Sequence, residues 1–138
     1  MQVKKLNKLS PKHNQMIQDA LALHQAGLLD AAEAQYKKLL KLLPSNTTLL
    51  SNLGMIALQK GRLEDGLKIL ERSLQINPNQ PYVLNNVGIA WQDLKRYDEA
   101  LASYERAIAL KPDYADAYSN RGNTLKDLNR LDEALASF

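Results

Sequence analysis

Four primary amides recur at one phase of the sequence: Gln18, Asn52, Asn86 and Asn120, each 34 residues after the last. A carboxamide carries both a donor and an acceptor, so such a column can pair with the N–H and C=O groups of an extended peptide. Recognition of that kind ignores side-chain identity, and each bond contributes about 0.5–1.5 kcal/mol net. Other chemistry is thinner. His13 and His24 stand eleven apart, without HExxH spacing, and the chain has no cysteine. That absence removes disulfides, thiolate metal sites and a cysteine nucleophile. His24 reads as a satisfied surface histidine. No glycine-rich phosphate loop follows a strand, because no strand pattern is present. Asp98-Glu99 and Asp132-Glu133 read as first-turn residues of helices, where negative charge suits the N-terminus. No catalytic residue, metal ligand or cofactor is expected.

The elements that must hold the amide column follow from the same period. Pro44, Pro78 and Pro112 are also 34 residues apart. Taking each as position 32 of a unit gives units 13–46, 47–80 and 81–114, after a basic tail at 1–12 and before a fourth unit, 115–138, that reaches position 24. Position 8 then reads Ala20, Gly54, Gly88, Gly122, and position 20 reads Ala32, Gly66, Ala100, Ala134. Position 24 reads Tyr36, Leu70, Tyr104, Phe138, with further large residues at positions 4, 11 and 17. Steps of three and four place positions 4, 8, 11 on one helical stripe and 17, 20, 24, 27 on another. The break between the two helices falls at position 15, at Gly27, Gly61, Lys95 and Asn129. Three of these tolerate the left-handed conformation that ends many helices, and Lys95 is the exception. The second helix of a unit stops before its proline, whereas Pro11 and Pro81 sit at helix starts. The spacing predicts seven full helices and a partial eighth, paired over about 10–42, 46–76, 79–110 and 114–138. Small residues at positions 8 and 20 let paired backbones approach, and units that cannot bury both faces alone stack on one another.

Composition bounds the function classes. The chain has 138 residues and is 45% hydrophobic, enough for a packed core. Its formal net charge of +3 comes from Lys4, Lys5, Lys8 and Lys12, with 14 basic and 15 acidic side chains in the remainder. The basic balance thus belongs to a solvated tail and implies neither a nucleic-acid partner nor a membrane partner. No apolar run approaches the roughly 18–20 residues of a spanning helix, and the start lacks a signal peptide's apolar stretch. A cytoplasmic protein is the expectation.

The registered columns resemble the tetratricopeptide repeat family over residues 13–138, with Gly122-Asn123-Thr124-Leu125, Asp98-Glu99-Ala100 and Ala109-Leu110-Lys111-Pro112 typical of it. The departures are Ala20 in place of glycine and Arg121 in place of an apolar residue. The resemblance implies an all-α solenoid, a right-handed superhelix of about 3.7 antiparallel helix pairs whose concave groove binds peptides or proteins. The amide column is similar to the asparagine ladder of O-linked N-acetylglucosamine transferase repeats, as is Tyr118-Ser119-Asn120-Arg121-Gly122-Asn123.

Positions 2, 5, 6, 9, 12 and 13 of each first helix point away from the core stripe, toward the inner wall. Apolar residues there are Ile17, Leu21, Met55, Leu58, Tyr82 and Ile89. Tyr82 is the expected groove anchor, while Leu21, Met55 and Ile89 divide between groove contact and packing of units. Another use in the family, clamping the C-terminal carboxylate of a heat-shock chaperone, needs Lys, Asn, Asn, Lys and Arg at fixed positions. Those positions read Ile17, Leu21, Asn52, Tyr82 and Asn86, or Ser51, Met55, Asn86, Asp116 and Asn120, so only a lone Asn fits. The expected function is a noncatalytic protein-interaction module that takes a protein or peptide ligand. The alternative is the substrate-binding arm of a larger enzyme such as a glycosyltransferase, of which this chain is a fragment. Self-association through the uncapped C-terminal end is a third expectation.

Overall fold

The structure is a computed structural model that describes residues 9–136. Seven helices follow one another among these residues: α1 Pro11–Gln25, α2 Leu29–Leu42, α3 Thr47–Gln59, α4 Leu63–Ile76, α5 Pro81–Asp93, α6 Tyr97–Leu110 and α7 Ala115–Ala136. None is long and apolar enough to cross a membrane. Local chemistry explains the starts. The Ser10 hydroxyl accepts from the His13 N–H and Asn46 Oδ1 from the Leu49 N–H, two side-chain N-caps. Pro11 and Pro81 occupy first-turn positions that need no N–H donor.

The turns inside the first three units share one geometry. Gly27 and Gly61 adopt φ +80° and Lys95 φ +61°. Each turn closes two backbone bonds of the Schellman type, Leu28 N–H to the Leu23 carbonyl, Arg62 to Ala57 and Arg96 to Trp91 being the longer member. The Arg96 guanidinium lies 5.4 Å from the centre of the Trp91 ring, a cationic version of the side-chain contact that accompanies this motif. Lys95, expected to resist the left-handed region, enters it. Asn129, expected to tolerate it, stays helical, and α7 runs through it without a break. The partial eighth helix is therefore not formed among the described residues. Packing decides both cases: α6 has α5 and α7 to bury against, whereas the apolar residues after Asn129 remain exposed, Leu131 at 47% and Leu135 at 65%.

Paired helices meet at their smallest residues. A Cβ on Gly54 would sit 2.6 Å from Leu70 Cδ2, and one on Gly88 2.4 Å from Tyr104 Cε1. The core runs along the stack. Ile17, Ala20, Tyr36 and Leu39 pack with Leu49, Leu53 and Ile56 of the next unit. Leu67, Leu70 and Leu74 continue to Val83, Leu84, Val87, Ala107, Tyr114 and Ala117. Within unit two the Ser51 and Ser73 hydroxyls lie 2.7 Å apart, with Gln80 joined to both. No buried side-chain nitrogen or oxygen lacks a partner among the described residues.

Candidate peptide-binding face

The first helices stand side by side, α3 against α5 and α5 against α7. This places the amide column on neighbouring elements. Asn52 and Asn86 are half-buried, and each donates Nδ2 to the carbonyl one turn back: Asn52 to Thr48 at 2.8 Å, Asn86 to Tyr82 at 2.9 Å. That bond fixes the plane of each carboxamide and leaves its oxygen without a partner among the described residues. Asn120 differs, donating Nδ2 sideways to Asn85 Oδ1 at 3.0 Å. Gln18 is exposed on α1, and its side chain makes no hydrogen bond to a described residue. Three of the four amides are thus oriented by the protein itself.

Met55, Asn86 and Ile89 meet at one cavity of about 180 Å³, lined also by Leu58, Gln59 and Asp93, between α3 and α5. Ile89 is 37% exposed, whereas Met55 is half-buried and packs on the core, so position 9 divides between open surface and core packing. Leu21 belongs with the core packing, and so does Leu58, whose side chain covers Gly66. The expectation for position 5 needs correction. Ile17, Ser51 and Asn85 are only 5–8% exposed, because this phase is taken up by packing inside the array: Ile17 joins the core, Ser51 meets Ser73 and Gln80, and Asn85 meets Asn120.

Tyr82 is 59% exposed and does not stand alone. The Lys111 ammonium donates to its hydroxyl at 2.9 Å, and lies 4.7 Å from the Tyr82 ring centre and 4.9 Å from that of Tyr114. The two rings meet edge to face at 5.3 Å. The contact with the Tyr82 hydroxyl, above all, raises the pKa of Lys111. Arg121 stacks over Tyr118 at 5.1 Å nearby. The wall therefore ends in aromatic rings capped by cations. Lys111 could not be singled out from sequence, since it sits 29 residues from Tyr82 and meets it only when the unit closes. His24 is likewise no plain surface histidine. Its Nε2 donates to Gln59 Oε1 at 2.9 Å, which leaves Nδ1 to accept from the buried Tyr36 hydroxyl at 3.3 Å. Among the described residues no group of three His, Cys, Asp or Glu could hold a metal.

Fold and site together define an all-α repeat array with a polar, partly apolar wall along its first helices. Two family descriptions match the sequence, "Tetratricopeptide repeat" over residues 23–85 and "TPR repeat" over residues 92–129. The chain belongs to the tetratricopeptide repeat family. A comparison with curated proteins gives no match. Among solved structures, the first TPR of Spaghetti (RPAP3) bound to the HSP90 peptide SRMEEVD is 20% identical with a TM-score of 0.82, over 88% of this chain and 96% of that one. The Arabidopsis OM64 TPR domain is 21% identical with a TM-score of 0.79, over 83% and 95%. MamA is 22% identical with a TM-score of 0.81, over 96% and 78%. At these identities the likeness concerns the fold.

Proposed function

We propose that the chain is a noncatalytic interaction module whose first-helix wall holds an extended peptide by its main chain. Asn52, Asn86 and Asn120 supply the main-chain contacts, with Gln18 extending the column. Met55 and Ile89 receive an apolar side chain, and Tyr82 with Lys111 receives an acidic or aromatic one. The observation that carries this reading is the orientation of Asn52 and Asn86 by their own helices. A carboxamide held in place loses little freedom on binding, so more of each bond's energy appears as affinity. The peptide complex of the Spaghetti domain shows that the same fold accepts a peptide. An identical carboxylate clamp is not expected here, because the matching positions carry Ile17, Leu21, Tyr82, Asp116 and Met55 in place of cations and amides.

Peptides selected from a random display library on the whole chain provide the test. Alanine at Asn52, Asn86 and Asn120 together removes three bonds of about 0.5–1.5 kcal/mol each, and should weaken a selected peptide by tenfold or more. Unchanged affinity in a folded triple variant would refute the amide column.

A further inference from the structure

Two successive junctions between units are packed differently. Between units one and two, α2 and α4 both rest on α3 and leave an open cavity of about 240 Å³, floored by Leu53, Ala57 and Ile69. One repeat later the places of Ala57 and Glu33 are taken by Trp91 and Leu67, which pack in one core cluster. The Arg96 guanidinium lies 5.4 Å from the Trp91 ring centre, and its counterpart, Arg62, borders the open cavity with no ring beneath it. The second junction therefore displays what fills the first: an aromatic ring under an arginine. We infer that the α2–α4 groove is a second docking site, which takes an aromatic side chain flanked by acidic residues from a partner protein.

Charge selects the neighbours of that ring. Lys37, Arg62 and Lys68 stand around the opening against Glu33 and Asp65. Glu33 is already met by Lys37 at 3.5 Å, Lys60 at 3.7 Å and Arg62 at 3.4 Å. With Lys60 and its partner Asp30 included, four cations face three acids. Lys68 is exposed and makes no ion pair with a described residue, so it is free to meet an incoming carboxylate. Water over an apolar floor is poorly held, and an apolar ring that displaces it gains affinity. Arg62 adds a cation–π contact. The site is separate from the amide wall. At 100° per residue, Leu53 and Ala57 point about 150° away from Asn52 and Met55 on α3. Docking in the groove does not depend on a peptide held by the wall.

Titration of the isotope-labelled whole chain with the peptide acetyl-Glu-Trp-Glu amide, followed by NMR, tests the groove. Backbone shifts are expected at Ala57, Arg62, Lys68 and Ile69, and acetyl-Glu-Ala-Glu amide should leave these amides unmoved. Acetyl-Gln-Trp-Gln amide should bind about threefold more weakly, the size expected of exposed charge contacts. Ala57→Trp copies Trp91, fills the groove from within and should weaken the acidic peptide by about tenfold or more. Lys68→Glu alters an exposed side chain and spares the core. It should weaken the acidic peptide by about threefold and leave the Gln peptide unchanged. No shift at the groove, shifts confined to Asn52 and Asn86, or undiminished binding by a folded Ala57→Trp chain would overturn the site. Equal binding of the Glu and Gln peptides would overturn its acidic preference.

Discussion

Units two and three fill the same gap beneath a glycine by different chemistry. In unit two, Leu70 covers Gly54 while Leu58 covers Gly66, an all-apolar solution. In unit three, Tyr104 covers Gly88 and donates its hydroxyl to Gln92 Oε1 at 2.8 Å. Gln92 goes on to the next unit, accepting from Thr124 at 2.9 Å and donating to Asp127 at 3.4 Å. Unit one follows the polar plan, with Tyr36, His24 and Gln59 in the corresponding roles. A large residue at position 24 is therefore half of a pair, and position 12 decides which half is allowed. A buried tyrosine needs a hydrogen-bond partner, and that partner also ties one unit to the next.

The glycine beneath both solutions should be the most sensitive point. Gly88→Val forces a branched side chain against the Tyr104 ring and should cost about 2–3 kcal/mol in urea unfolding. Exchanging the plans comes next. Leu70→Tyr alone buries a hydroxyl with no acceptor and should cost about 1–3 kcal/mol beyond any steric effect. Adding Leu58→Gln should recover part of that loss, and strict additivity in the double-mutant cycle would break the pairing rule. Tyr104→Phe should cost about 1 kcal/mol.

Alkali probes the polar plan, which rests on buried tyrosine hydroxyls. Burial pushes the Tyr36 and Tyr104 hydroxyls up to about 12. Both are acids whose folded pKa exceeds the unfolded value near 10. Their contribution is complete below about pH 10 and is lost as pH rises from there through about 12. Stability measured across that window should fall, and replacing both tyrosines with Phe should flatten the fall. Smallest is the turn: Lys95→Gly removes a left-handed lysine and should raise stability by about 0.5–1 kcal/mol.

Much of the fold was legible because the period is carried by residues whose roles are steric: prolines that end helices and small residues where backbones meet. What escaped depends on contacts across the repeat. Lys95 and Asn129 exchange their expected roles because the turn forms where a following helix finds something to pack on, which intrinsic preference does not encode. Position 5 looked like wall from helical phase alone, yet Ile17, Ser51 and Asn85 are buried. Asn52 and Asn86 were visible as a column, but their anchoring to Thr48 and Tyr82 carbonyls was not. Lys111 reaches Tyr82 across a whole unit, beyond any local pattern.

The most direct measurement is an N-methyl scan of a display-selected peptide bound to the whole chain. N-methylation removes one main-chain donor at a time and leaves the side chains in place. Packed helices stand about 8–10 Å apart and an extended chain advances about 3.3 Å per residue. Main-chain capture by the amide column therefore predicts strong losses at about every third residue, each abolished as a difference in the Asn52, Asn86 and Asn120 triple alanine variant. A flat scan, with affinity governed by the peptide's side chains alone, would contradict it.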